Sequence, residues 1–171
     1  IIFDGKLLTR NDLSRWRSNI GYVSQHTFLL DGSIYENVAF GVKKGDVSRS
    51  QVIEALQDAQ LLEFVNNLPE GLDTKVGERG LQFSGGQQQR IGIARALYKQ
   101  PKILILDEAT SALDSHTEKK IMKSISDLKQ KTTIIMVTHR QSTLKYCTDV
   151  FSLKDGKLYE KDKTLISIES K

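Results

Sequence analysis

The chain has 171 residues, with 25 Lys and Arg against 21 Asp and Glu for a net charge of +4, and 39% of its residues are hydrophobic. These values fit one ordinary globular domain, and because charges of both signs are interspersed they do not argue for a nucleic-acid binder. No run approaches the ~18 consecutive apolar residues of a membrane span, no secretory leader opens the chain, and the single cysteine, Cys147, excludes an internal disulfide, a Cys-rich zinc site and a redox pair, so a soluble chain in a reducing, cytosolic compartment is expected.

In chain order, Ile1 to Phe3 reads as a short strand, turned at Asp4 and Gly5 into Lys6 to Leu8. Because Ile1 already stands in a strand, the chain is expected to begin within a larger protein. Asn11 to Arg17 reads as a helical turn, and Ile20 to Ser24 as a brief strand that delivers Gln25 into a loop. From Val52 to Leu68 the apolar residues fall close to helical spacing. Gln87 to Lys99 is a second helix, with Ile91, Ala94 and Leu97 on one stripe and Pro101 just beyond its end. The runs 103–106 and 132–137 are continuous and apolar, as in strands buried on both faces of a parallel sheet. A helix from about Ser115 to Lys129 joins them into a βαβ unit with an expected right-handed crossover. Val150 to Glu160 reads as a closing hairpin turned at Asp155 and Gly156.

In an open parallel sheet, ligands bind beyond the carboxyl ends of the strands, where Asp107 and Glu108 follow four apolar residues. In phosphoryl transfer, an acid so placed holds Mg²⁺ and a neighbour orients or deprotonates the attacking water, which gives Asp107 the metal and Glu108 the water. An acidic turn capping a helix is the plainer alternative. His139, leaving the run 132–137, could donate to a terminal phosphate oxygen, and Gln25 could place its amide on Mg²⁺ or near the water; each alone is also an ordinary polar loop residue. Ser84, Gly85, Gly86 and Gln87 open a helix, where outward N–H groups and small residues suit an anion, or serve only as a Ser-type cap.

Taken together, these residues resemble the nucleotide-binding domain of ATP-binding cassette (ABC) transporters. The stretch LQFSGGQQQRIGIARALYKQPKILILDEATSALD, Leu81 to Asp114, looks like that family's signature motif, Walker B strand, catalytic glutamate and D-loop in uninterrupted order. Gln25 falls at the Q-loop position and His139 at the switch histidine. TKVGERG, Thr74 to Gly80, is similar to an exporter loop that contacts coupling helices, and the likeness extends from Ile1 to about Glu160. The resemblance implies a P-loop NTPase (RecA-like) α/β fold with a mostly parallel sheet, a core formed by residues 1–25 and 97–171, and an inserted helical signature subdomain at about 26–96.

The resemblance further implies that two such domains sandwich two ATP molecules head to tail. Ser84, Gly85, Gly86 and Gln87 would then hold the γ-phosphate of ATP bound to the opposite copy. Asp107 would support Mg²⁺, Glu108 would polarise water, Gln25 would sense both metal and membrane domain, and His139 would contact the γ-phosphate. Asp114 would link the two sites, and Gly77, Glu78 and Arg79 would signal to a transmembrane domain, fused or separate, at the cytoplasmic face of the cell membrane. No nucleic-acid partner is implied.

Two departures stand out. Phe83 occupies a position where the family commonly has Leu, and no G-x-x-x-x-G-K-[ST] phosphate loop occurs in these residues. In the family that loop precedes the strand that Ile1 to Phe3 resembles, so the N-terminal part of the core is expected to be missing and the piece alone is expected to be inactive. Within the exporters, Arg90 to Tyr98 and Arg140 to Leu158 resemble bacterial lipid-linked oligosaccharide flippases and related polysaccharide or lipid exporters. Two other readings compete. One is a non-transport ABC-type ATPase acting on DNA or the ribosome, disfavoured by the compact insert without heptads. The other is a non-enzymatic donor of a signature turn, disfavoured by Glu108 and His139.

Overall fold

The computed structural model describes residues 2–3, 5–7, 9–78, 82–128 and 131–161. The chain divides into two compact units, Ile1–Met136 and Val137–Lys171. In the first, strands β1 (Ile2–Phe3) and β2 (Lys6–Leu7) form an antiparallel pair, with Gly5 between them at φ +73° and Asp4, the other residue of the expected turn, outside the described residues. Helix α1 (Leu13–Arg17) precedes β3 (Ile20–Val23), which pairs in parallel with β4 (Ile103–Asp107), Ile20 opposite Ile103 and Val23 opposite Leu106. Strand β5 (Thr133–Val137) completes the order β3-β4-β5, with Thr133 N donating to Lys102 O at 2.8 Å. Helices α2 (Ile34–Val38), α3 (Arg49–Asp58), α4 (Leu62–Asn66), α5 (Gly85–Tyr98) and α6 (Ser115–Asp127) make up the helical part.

Burial organises these elements. Ile91, Ala94 and Leu97 of α5 are buried as their spacing predicts, and they join Val52 and Leu56 of α3, Leu104 and Leu106 of β4, and Ile121 and Ile125 of α6 in one cluster. Each buried Val, Leu or Ile among them contributes about 1.5–3 kcal/mol on leaving water. Helix α5 is the hub, packing against β3 as well as α2 and α3.

Two sequence expectations need correction. The run 52–68 is two helices. Helix α3 stops in a left-handed turn at Gln60 (φ +55°), where Leu61 N donates to Leu56 O at 2.9 Å and Gln60 N to Gln57 O at 2.9 Å, a Schellman closure that spacing alone does not reveal. The two apolar runs are also not buried on both faces. In β4, Leu104 and Leu106 are buried while Ile103 and Ile105 are half-buried, and in β5 Ile135 remains 49% exposed. Alternate residues along each strand thus differ in burial, and the two faces of the sheet are unequally covered.

In the second unit, the hairpin of β6 (Phe151–Lys154) and β7 (Lys157–Glu160) turns at Asp155 (φ +49°) and Gly156 (φ +73°), the two left-handed residues that a tight hairpin turn needs. A short helix, α7 (Gln141–Leu144), precedes it. Among the described residues no helix is long and apolar enough to cross a membrane.

Candidate functional site

Because β3 and β4 run parallel, their carboxyl ends leave the sheet at the same edge, and the register that pairs Val23 with Leu106 carries Gln25 alongside Glu108. Gln25 Nε2 donates to Glu108 Oε2 at 2.7 Å. Asp107 accepts from Tyr22 Oη at 3.0 Å, a hydrogen bond that holds the Tyr22 phenol above its ordinary pKa. Glu108 has φ +48°, a left-handed conformation unusual for a residue with a side chain. There the strand breaks into a turn, closed by Ser111 N donating to Glu108 O at 3.0 Å and Leu113 N to Thr110 O at 3.1 Å. The turn delivers Asp114 to the N-cap of α6, where Oδ1 accepts from His116 N and Thr117 N, each at 3.0 Å.

Ser84 caps α5 as its sequence suggests. Its Oγ accepts from Gln87 N at 3.3 Å, while Gln87 Oε1 accepts from Ser84 N at 2.7 Å, closing a capping box. The Gln87 side chain is thereby turned back on the cap, and the N–H groups of Gly85 and Gly86 have no acceptor within the helix. Ser84, Gly85, Gly86 and Arg90 face Asp114 and Thr117 across a cavity of about 360 Å³. Gly86 packs closely here, since a Cβ there would lie 3.1 Å from Ala112 O.

The residues that hold these loops to α5 do not stand out in the sequence. Gln89, 2% exposed, donates through Nε2 to Glu108 O at 3.3 Å and Ser111 Oγ at 3.4 Å, and its Oε1 accepts from Ala112 N at 3.0 Å. One turn on, a Cβ at Gly92 would stand 2.5 Å from Thr27 Oγ1, so the segment after Gln25 lies directly on the helix. A further turn on, Arg95 Nη1 donates to Phe28 O at 2.8 Å, its Nε to Asn37 O at 2.8 Å and its Nη2 to Asn37 Oδ1 at 2.9 Å. Asn37 is fully buried, and its amide also bridges Leu30 N, Leu30 O and Ser33 O. The signal in the sequence was a polar or glycine residue every third position, 89, 92 and 95, inside an otherwise buried helix.

Residues 74–76 are anchored at the start of α2. Ser33 and Lys75 form a bridge, Val76 N donates to Gly32 O at 2.9 Å, and Lys75 Nζ stands 3.6 Å from Glu36 Oε2 in an exposed, weak ion pair. Gly77 adopts φ +76° and Glu78 is exposed, whereas Arg79 lies outside the described residues. His139 is an exposed residue of the second unit, beside Thr138, whose Oγ1 accepts from Arg140 N at 3.0 Å. The carboxylate pair and the glycine turn are thus tied to one helix.

The family model described as "ABC transporter" matches residues 1–111 of the chain. The chain belongs to the ABC transporter family. An ATP-dependent lipid A-core flippase of Coxiella burnetii is 45% identical to it over 149 residues, covering 87% of this chain and 25% of the flippase. The ABC-type transporter fsqE of Aspergillus fumigatus is 44% identical over 160 residues, covering 94% of this chain and 12% of that transporter. Among solved structures, a bacterial Atm1-family ABC exporter with ATP bound superposes with a TM-score of 0.86 at 38% identity, over 97% of this chain and 29% of the exporter. The chain therefore spans a quarter or less of these two curated ABC transporters, and its fold is that of the nucleotide-binding domain, a P-loop NTPase.

Proposed function

We propose that these residues bind and hydrolyse ATP as part of an exporter's nucleotide-binding domain, working as a head-to-tail pair at the cytoplasmic face of a membrane, with a transmembrane domain fused or bound to it. The observation that carries this reading is the 2.7 Å bond from Gln25 to Glu108 beside Asp107, at the carboxyl edge of a parallel sheet. The donor set suits Mg²⁺. Among the described residues no group of three or more His, Cys, Asp and Glu could enclose a metal, and Mg²⁺ is ordinarily held by one or two carboxylates together with substrate phosphates and water. Asp107 and the Gln25 amide oxygen would hold it, and when bound it neutralises charge developing on the phosphates.

Glu108 accepts the proton of the attacking water, and the Gln25 amide fixes the direction its carboxylate faces. Ser84, Gly85 and Gly86 grip the γ-phosphate in the opposite copy's site, with Gln87 supporting the turn through the capping box; His139 contacts that phosphate in its own copy. Asp114 lines the same cavity and links the two sites. Residues 26–96 act as the helical subdomain on a core of 1–25 and 97–171, and Gly77, Glu78 and Arg79 signal to the membrane domain. The cargo is a lipid or lipid-linked saccharide, a reading supported by the likeness to the Coxiella burnetii flippase. The 171 residues, which contain no G-x-x-x-x-G-K-[ST], are inactive by themselves.

The test is Mg²⁺-dependent phosphate release by the intact transporter. Glu108→Gln keeps the shape and removes the base, so the rate falls by ~100-fold or more while ATP binding is retained. An unchanged rate would remove Glu108 from its role.

A further inference from the structure

The loop that carries Glu108 depends on a side chain from a different element. Gln89 sits on the second turn of α5, buried, with both ends of its amide engaged by residues 108–112. The amide's orientation is determined by its partners: the Glu108 carbonyl can only accept and Ala112 N can only donate, so Nε2 faces the first and Oε1 the second. Glu108 itself is held at φ +48°, an unfavourable left-handed conformation that persists only where the surroundings enforce it. Its carbonyl receives two donors, Ser111 N from within the turn and Gln89 Nε2 from the helix. Its carboxylate receives Gln25 from the loop after β3. The backbone and the side chain of Glu108 are therefore fixed from different elements.

Gln89 is also three residues from Gly86 on the same helix, and Gly86 is close-packed against Ala112 O, the same residue whose N–H bonds Gln89. The rigid first turns of α5 thus join the Ser84–Gly86 turn to the loop bearing Glu108, and Gln89 is the side chain through which they do so. We propose that Gln89 is a positioning residue for ATP hydrolysis: by holding the Glu108 carbonyl and the 111–112 backbone it aims the Glu108 carboxylate, and it passes displacements of the Ser84–Gly86 turn to that carboxylate. This rests on the role given to Glu108 above.

The test is steady-state hydrolysis by the intact transporter carrying Gln89→Met, which fills the same volume but offers no comparable hydrogen bond, and Gln89→Glu, which keeps the acceptor for Ala112 N but loses the donor to Glu108 O. The expected result is a fall in kcat of about tenfold in both variants with KM for ATP within about twofold, since a misaimed base slows chemistry without weakening binding. Placed in the Glu108→Gln background, Gln89→Met is expected to cause no further fall, because the group it aims is gone. If Gln89→Met fails to fold, Gln89→Glu carries the kcat and background comparisons alone. An unchanged kcat in a folded variant, a change in KM alone, or an undiminished tenfold fall in the Glu108→Gln background would overturn the proposal. A Glu108→Gln rate equal to that of the unmutated transporter would instead overturn the site reading beneath it.

Discussion

Asp114 illustrates how a single residue ties local structure to the site. Thr117, through its side chain and its backbone N–H, together with the His116 N–H, holds the Asp114 carboxyl at about 2, against an ordinary value of 3.8. A carboxyl whose pKa is depressed by folding adds stability that is present above its unfolded pKa and lost as pH falls through the folded one. The cap is therefore expected to operate fully at neutral pH and to fade between 3.8 and about 2. In thermal unfolding, Asp114→Ala should lower the midpoint at neutral pH, with the gap to the unmutated protein closing as pH approaches the folded value. A gap that stays constant across that window would refute the assignment. Asp114→Asn, which keeps an N-cap acceptor, should lose less than Ala at neutral pH. At this scale much was legible from the chain: the Ser84 cap, Gln25 beside Glu108, and Asp107 at the strand's end follow from residue type and position. Gln89 and Asn37 were not. An amide's value depends on which backbone groups surround it, and those come from segments 19 to 58 positions away in the case of Gln89–Glu108 and Arg95–Asn37.

At the scale of elements, α5 holds three segments along one side: residues 108–112 through Gln89, Thr27 through Gly92, and residues 28–37 through Arg95. The contact at Gly92 is the most sensitive to volume. Gly92→Ala should gain ~1 kcal/mol of helix propensity, yet its Cβ would fall 2.5 Å from Thr27 Oγ1 and 2.7 Å from Thr27 Cγ2, so the net result is a loss. Overpacking of this kind costs about 1–3 kcal/mol. Denaturant unfolding should show that loss for Gly92→Ala, and adding Thr27→Ala should recover most of it, since the atoms in conflict are removed. Equal stability of Gly92→Ala and the unmutated protein would mean the helix and the segment after Gln25 are not in contact as described. Element identities were readable because the 3.6-residue and strand periodicities are local. The break between α3 and α4 was not readable, because the left-handed turn at Gln60 falls on a residue with no glycine or asparagine to announce it. The one-sided burial of β4 and β5 was also hidden, since an apolar run specifies the capacity for burial rather than what covers it.

For the whole molecule, the arrangement is directional. The sheet edge gathers Asp107, Glu108 and Gln25, the cavity gathers Ser84, Gly86 and Asp114, and α5 fixes the spacing between them. The head-to-tail pairing proposed above uses that spacing, because one copy's glycine turn has to reach a phosphate held at the other copy's sheet edge. The most direct measurement is a structure of the intact transporter trapped with ATP by Glu108→Gln. Ser84 Oγ and the Gly86 N–H are expected within about 3 Å of γ-phosphate oxygens held by the opposite copy. Ser84 and Gly86 turned away from the triphosphate would contradict it.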